Sequence, residues 1–117
     1  MDSKNLGQIG EDIASAYLEG QGYEILERNF CSSIGEIDII AKDEETLIFI
    51  EVKTKSNKDF GLPQEMVTAK KQHKLIKVAY SYLKEKNLED IPWRIDVVAI
   101  NKDNNNQSIE LIKNAVN

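Results

Sequence analysis

Apolar residues recur at helical spacing near the start of the chain. Leu6, Ile9, Ile13, Ala16 and Tyr17 share one face, and Gly20 and Gly22 stand where such an element would end. The spacing predicts a helix over residues 3–19. From Tyr23 the pattern changes: residues 23–29 read as a strand, a loop passes through Cys31, Ser32, Ser33 and Gly35, and a second strand covers 36–41. Lys42-Asp43-Glu44-Glu45 is a polar hairpin turn. The third strand, about 46–54, holds Leu47-Ile48-Phe49-Ile50, the run expected of a strand buried on both faces. After Gly61-Leu62-Pro63 the helical period returns over roughly 64–86. Its apolar face is Leu75, Ile76, Ala79, Tyr82 and Leu83, with lysines on the others. Pro92 precedes a strand over 93–100, Asp103 to Asn106 reads as a turn, and a last strand runs from 108 to about 115. The order αβββαββ predicts an α/β fold, a mixed β-sheet with helices packed on it, because the long helix carries the chain across to the fourth strand.

Size and composition narrow this further. A chain of 117 residues without repeat or linker supports a single domain over 1–117. No apolar run reaches the ~20 residues of a membrane span, and no signal-peptide core follows Met1, so no membrane partner is expected and the default compartment is cytoplasmic. One cysteine, Cys31, excludes an internal disulfide and a cysteine-built zinc site. One histidine, His73, excludes histidine-rich centres. A metal here would be a hard cation on carboxylates. The net charge of -5 conceals an asymmetry: Val52 to Lys86 holds nine lysines and three acids, while the rest holds six basic residues and seventeen acids. Such a stretch is either a solvated lysine-rich helix face or a phosphate-facing surface.

Strand alternation puts Glu51 and Lys53 on one face, with Leu47 and Phe49 behind them. On the preceding strand Asp38 shares its face with Glu36 and Ile40, while Ile37, Ile39 and Ala41 line the other. The turn at 42–45 makes the two strands neighbours and brings Asp38 toward Glu51, although a one-residue slip would reverse its face. Two carboxylates and an ammonium at a half-buried sheet position need organising. An ion pair of Lys53 with Glu51 or Asp38 is one solution and leaves a surplus carboxylate. A divalent cation is the other, with Lys53 beside it to orient water or stabilise charge on a phosphate. Alternation alone does not choose between them.

Asp38 followed by Glu51-Val52-Lys53 resembles the Asp…Glu-x-Lys signature of the PD-(D/E)XK nuclease superfamily. The segments "GQIGEDIASAYLEGQGYEILERNF", "GEIDIIAKD", "LIFIEVKTK" and "FGLPQEMVTAKKQHKL" further resemble the YraN-like family, which is similar in pattern to archaeal Holliday-junction resolvases. The resemblance extends from about Gly7 to Ile100. It implies a restriction-endonuclease-like three-layer core and a Mg2+-dependent endonuclease acting on DNA, on branched or otherwise structured substrates. Asp38, Glu51 and the Val52 carbonyl would bind Mg2+ or Mn2+, Glu11 would support the metal, and Lys53 would position or polarise the attacking water. Gln64 would contact the cleaved phosphate, and Lys55, Lys58, Lys70, Lys71 and Lys74 would engage flanking phosphates. The scarcity of arginine, only Arg28 and Arg94, argues against bidentate guanine readout. The resolvase likeness suggests a homodimer. The competing expectation is a non-catalytic nucleic-acid-binding or protein-interaction module that keeps the fold. Trp93 is expected as a core anchor and His73 as a solvated residue.

Overall fold

The computed structural model describes residues 5–55, 67–103 and 106–116. Among the described residues seven elements follow in order: α1 (Leu6–Gly20), β1 (Glu24–Cys31), β2 (Glu36–Asp43), β3 (Thr46–Lys55), α2 (Ala69–Glu85), β4 (Trp93–Asp103) and β5 (Asn106–Val116). The strands form one sheet in sequence order, antiparallel at every border except β3–β4, which is parallel. That parallel border is why α2 is needed: a crossover must return the chain to the starting end of β3.

The sheet is covered on both faces, giving three layers. Leu75, Val78, Ala79, Tyr82 and Leu83 of α2 pack on Ile37, Ile40, Leu47, Phe49, Ile95 and Val97. Ala14 and Leu18 of α1 pack on Ile39, Ala41, Ile48, Ile50, Val98 and Ile100. Odd residues of β3 therefore face α2 and even ones face α1, so the strand is apolar in both directions, as its sequence requires. The edge-on aromatic contacts of Phe49 with Tyr82 and Trp93, at centroid distances of 5.6 and 5.8 Å, fill the α2 side.

Helix termini follow local chemistry. Asn5 and Gln8 form a reciprocal capping box at the start of α1, with Asn5 Oδ1 accepting from the Gln8 N–H at 2.8 Å. Gly22, at φ +95°, turns the chain out of the helix. Thr68 caps α2 by accepting from the Lys71 N–H at 3.2 Å. The cap sets the helix start at Ala69, so residues 67 and 68 of the expected range 64–86 precede α2, and 64–66 lie outside the described residues. On α1, Ile13 and Tyr17 of the expected stripe pack on the sheet beside the fully buried Ala14 and Leu18, while Ala16 is exposed, which corrects the stripe at that position. Gly10, one and two turns before Ala14 and Leu18 on the same face, lies directly on Thr54 of β3. A Cβ added there would overlap Oγ1 of Thr54 and come within 3.2 Å of its Cβ. The glycine thus lets this side of α1 lie close on the sheet.

Three further details depart from the sequence reading. Cys31 closes β1 opposite Glu36 and is not in the loop. The β2–β3 ladder continues to Asp43↔Thr46, so the turn narrows to Glu44 and Glu45, with Glu44 at φ 56°. Ile37 packs on the α2 side together with Ile40, although strict alternation puts it with Ile39. The reason lies between the pairs Arg28↔Ile39 and Phe30↔Ile37, where Asn29 adopts φ 56° opposite Asp38. A left-handed residue inside a strand breaks the pleat, and beyond it the side chains exchange faces.

Candidate active site

Pairing of β2 with β3 runs from Asp43↔Thr46 to Ile39↔Ile50 and ends there. The next residues along are Asp38 and Glu51. Past the end of the ladder the Asp38 carboxylate accepts the Val52 N–H at 2.8 Å. The face exchange at Asn29 and the loss of pairing at Asp38 thus occur together, and they aim the carboxylate into the gap between the two strands. In an extended strand the N–H and C=O of one residue leave on the same side, so the Val52 carbonyl faces this gap as well.

Glu51 is only 4% exposed, on the rigid central strand β3. Its Oε2 receives two ammonium groups, Lys71 Nζ at 3.2 Å and Lys53 Nζ at 3.6 Å. Asp38 is half-buried beside it. Burial first, and then the charge of Glu51, pushes the Asp38 carboxyl up from 3.8 to about 7. The Val52 N–H pulls in the opposite direction and does not prevail, while a side-chain hydrogen bond with Glu51 and the charge of Glu11 add to the rise. A half-buried and a buried carboxyl therefore share one region, with Lys53, Lys71 and the Val52 N–H as their partners.

Glu11 reaches this region from α1. Its carboxylate lies 3.8 Å from Arg28 NH2, which also donates to Asp12 Oδ1 at 2.8 Å. The helix acid is thereby held toward β1 and acts on Asp38 through its charge. Among the described residues no group of three or more His, Cys, Asp or Glu side chains is gathered closely enough to hold a metal ion. The oxygen atoms that the fold does bring together here are those of the Asp38 and Glu51 carboxyls and the Val52 carbonyl.

Of the residues expected from the sequence, the fold brings together Asp38, Glu51, Val52 and Lys53, with Glu11 alongside. Lys71, expected as an outer phosphate contact, instead joins the site through Glu51. Lys70 and Lys74 are exposed on the same helix, and Lys55 ends β3 opposite Asn101. Lys58 and Gln64 lie outside the described residues. Arg28 is a site neighbour that the sequence reading passed over. Its only signal was a lone arginine on a strand facing the Glu11-Asp12 helix. His73 is exposed as expected, and Trp93 anchors the α2 side while remaining partly open.

A second charged cluster lies on the α1 side of the sheet. Asp96 is fully buried, and Arg94 Nε donates to both its oxygens at 3.0 and 3.1 Å. The Asn114 N–H adds a bond at 2.8 Å to Oδ1, and Arg94 NH2 donates to Tyr23 Oη at 2.8 Å. Asn114, at φ 56°, lies where the β4–β5 register shifts between Ile95↔Val116 and Val97↔Ile112, so this carboxylate is consumed in holding a bulge.

Comparison with known proteins supplies the family context. Residues 10–100 match the profile of the uncharacterised protein family UPF0102. A UPF0102 protein of Desulforapulum autotrophicum is 47% identical over 112 residues, covering 96% of this chain and 93% of that protein. One from Geotalea daltonii is 49% identical over 115 residues, covering 97% and 91%. One from Clostridium botulinum is 46% identical over 116 residues, covering 97% and 94%.

Proposed function

We propose that this chain, which belongs to the uncharacterised protein family UPF0102, is a divalent-metal-dependent nuclease of the PD-(D/E)XK type that hydrolyses phosphodiester bonds in DNA. The observation that carries this reading is the meeting of Asp38 and Glu51 where β2–β3 pairing stops, with Lys53 two residues further along the same strand face. Burial, and after it the charge of Glu51, raises the Asp38 carboxyl, and a bound cation would offset both. Asp38, Glu51 and the Val52 carbonyl would hold Mg2+ or Mn2+, with Glu11 adding charge from α1. Such an ion, when bound, makes water more acidic and offsets charge on a phosphate.

The chain's own groups have distinct tasks. β3 fixes Glu51 and Lys53 because its apolar half is locked between two helices. Lys53 is placed to orient a water or carry developing negative charge on the phosphate. Lys71 meets Glu51 from the other element and brings a second ammonium to the substrate. Both arginines are engaged internally, Arg28 with Asp12 and Arg94 with Asp96, leaving no free guanidinium for reading guanine. Shape-selective recognition of branched or flapped DNA fits this better than sequence reading.

The test is incubation with linear, flapped and four-way DNA in Mg2+ or Mn2+. Cleavage is expected, lowered by about 10²–10³ in Glu51→Ala and in Lys53→Ala. Cleavage that survives both substitutions, or none by the unaltered protein on any substrate, overturns the reading. One observation favours a second reading, a non-catalytic nucleic-acid-binding module: Lys53 and Lys71 already neutralise Glu51 without an ion. DNA binding that needs no metal and leads to no cleavage is its signature.

A further inference from the structure

From Lys70 to Lys84 the exposed face of α2 carries Lys70, His73, Lys74, Lys77, Tyr80 and Lys84, and the one exposed acid of the helix, Glu85, is its last residue. A solvated helix face in a chain with more acids than bases ordinarily mixes both signs. Here Lys70 with Lys74 and Lys74 with Lys77 are like-charge neighbours that oppose helix formation. An anionic partner relieves this repulsion, and does so most at low salt. The face is also concave: Ile34, 40% exposed at the tip of the β1–β2 hairpin, stands opposite Lys70, His73, Lys74 and Lys77 across a groove of about 460 Å³. Lys74 is shared with a smaller cleft of about 120 Å³, lined also by Gly35, Glu36 and Lys71. Lys71 in turn touches Glu51. The groove therefore leads to the carboxylates, with Glu36 the acid along that path.

Tyr80 distinguishes among anionic partners. It is 59% exposed, the most open large apolar side chain among the described residues, and is held edge-on against Trp93 at 5.3 Å. A braced ring with a free face at the end of a lysine row suits a nucleobase. A carboxylate or a phosphate headgroup alone offers such a ring no flat face to stack on, whereas every base does. From Lys70 to Tyr80 the helix rises ~15 Å, ten residues at about 1.5 Å each.

We propose that this groove binds a nucleic-acid strand, with phosphates along Lys70, Lys74 and Lys77 and an unpaired base on Tyr80. It rests on the nuclease reading for its direction toward Glu51, but binding is measurable separately from cleavage. Fluorescence anisotropy of labelled duplex and 3′-flap DNA, in EDTA and over a KCl series, reads it directly. The triple variant Lys70→Gln, Lys74→Gln, Lys77→Gln is expected to lower the salt slope for duplex by up to about 2.7, at 0.9 per phosphate contact, and to weaken binding more than tenfold. A double variant of exposed lysines elsewhere, Lys42→Gln with Lys113→Gln, leaves the slope unchanged. Tyr80→Leu weakens flap binding by about 5- to 100-fold and leaves duplex binding intact. Thermal melts by circular dichroism confirm that each variant is folded. An unchanged slope in the triple variant, an unaffected flap in Tyr80→Leu, or equal binding of polyglutamate overturns the proposal. DNA cut with the slope unchanged would leave the nuclease reading standing and remove the groove; a reduced slope with no cutting does the reverse.

Discussion

Asp96 and Asp38 both lie on strands inside the sheet, each beside a place where the ladder loses its regular pairing. Asp96 receives both of its oxygens' bonds from Arg94 and a further one from Asn114, and the charges balance. Asp38 receives one backbone N–H and faces another carboxylate. The difference teaches how to separate structure from function in a buried charge. A satisfied aspartate holds a bulge, whereas a crowded one holds free energy that a ligand can release.

Breaking the satisfied side should have the largest effect. Asp96→Ala leaves the half-buried Arg94 guanidinium without its carboxylate and the Asn114 N–H without its acceptor, and is expected to destabilise the fold by about 3–5 kcal/mol in urea titrations. Asp38→Asn should act in the opposite direction. A carboxyl raised from 3.8 to about 7 binds more protons in the folded state than in the unfolded state, so stability falls as pH rises between those values. Asparagine removes this loss and keeps an acceptor for Val52 N–H. Without divalent metal at pH 8 the variant should be more stable by roughly 2–4 kcal/mol, a gain that disappears near pH 4. Equal stability at both pH values would show that Asp38 is not crowded.

Gly10→Ala tests how α1 bears on this pair. The added methyl meets Thr54 and should cost about 1–3 kcal/mol, most of it recovered in the double variant with Thr54→Ala. In the single variant the helix is displaced and takes Glu11 with it, so the pH-dependent gain from Asp38→Asn should shrink. The smallest effect is expected from Arg28→Gln, whose pairs with Asp12 and Glu11 are partly exposed. A loss of about 0.2–1 kcal/mol is expected by thermal melting.

Much of this fold was legible in the chain. Alternation in "LIFIEVK" placed Glu51 and Lys53 on one face, and the short turn after Ala41 made the hairpin that sets Asp38 beside them. Ile37 was assigned to the wrong face because a pleat break at Asn29 has no periodic signature. It shows only as an asparagine, a residue tolerant of left-handed backbone, inside a strand. Lys71 escaped assignment to the site because its contact with Glu51 depends on where α2 lands, which helical spacing cannot supply. Arg94 and Asp96 did leave a trace: opposite charges two apart on an apolar strand share a face. What was missing was Tyr23 and Asn114, the distant partners that turn such a pair into a buried cluster.

The strand irregularities also bear on the outer borders of the sheet. Among the described residues β1 and β5 are its two outer strands, and each carries a register shift, between Ile25 and Glu27 in one and opposite Ile95 and Val97 in the other. Asn29 and Asn114 add left-handed backbone near those places. A growing stack of strands needs a flat, regular row of amides, and neither border offers a continuous one. The bends that aim two aspartates inward thus also guard the protein against runaway strand addition during folding and at high concentration.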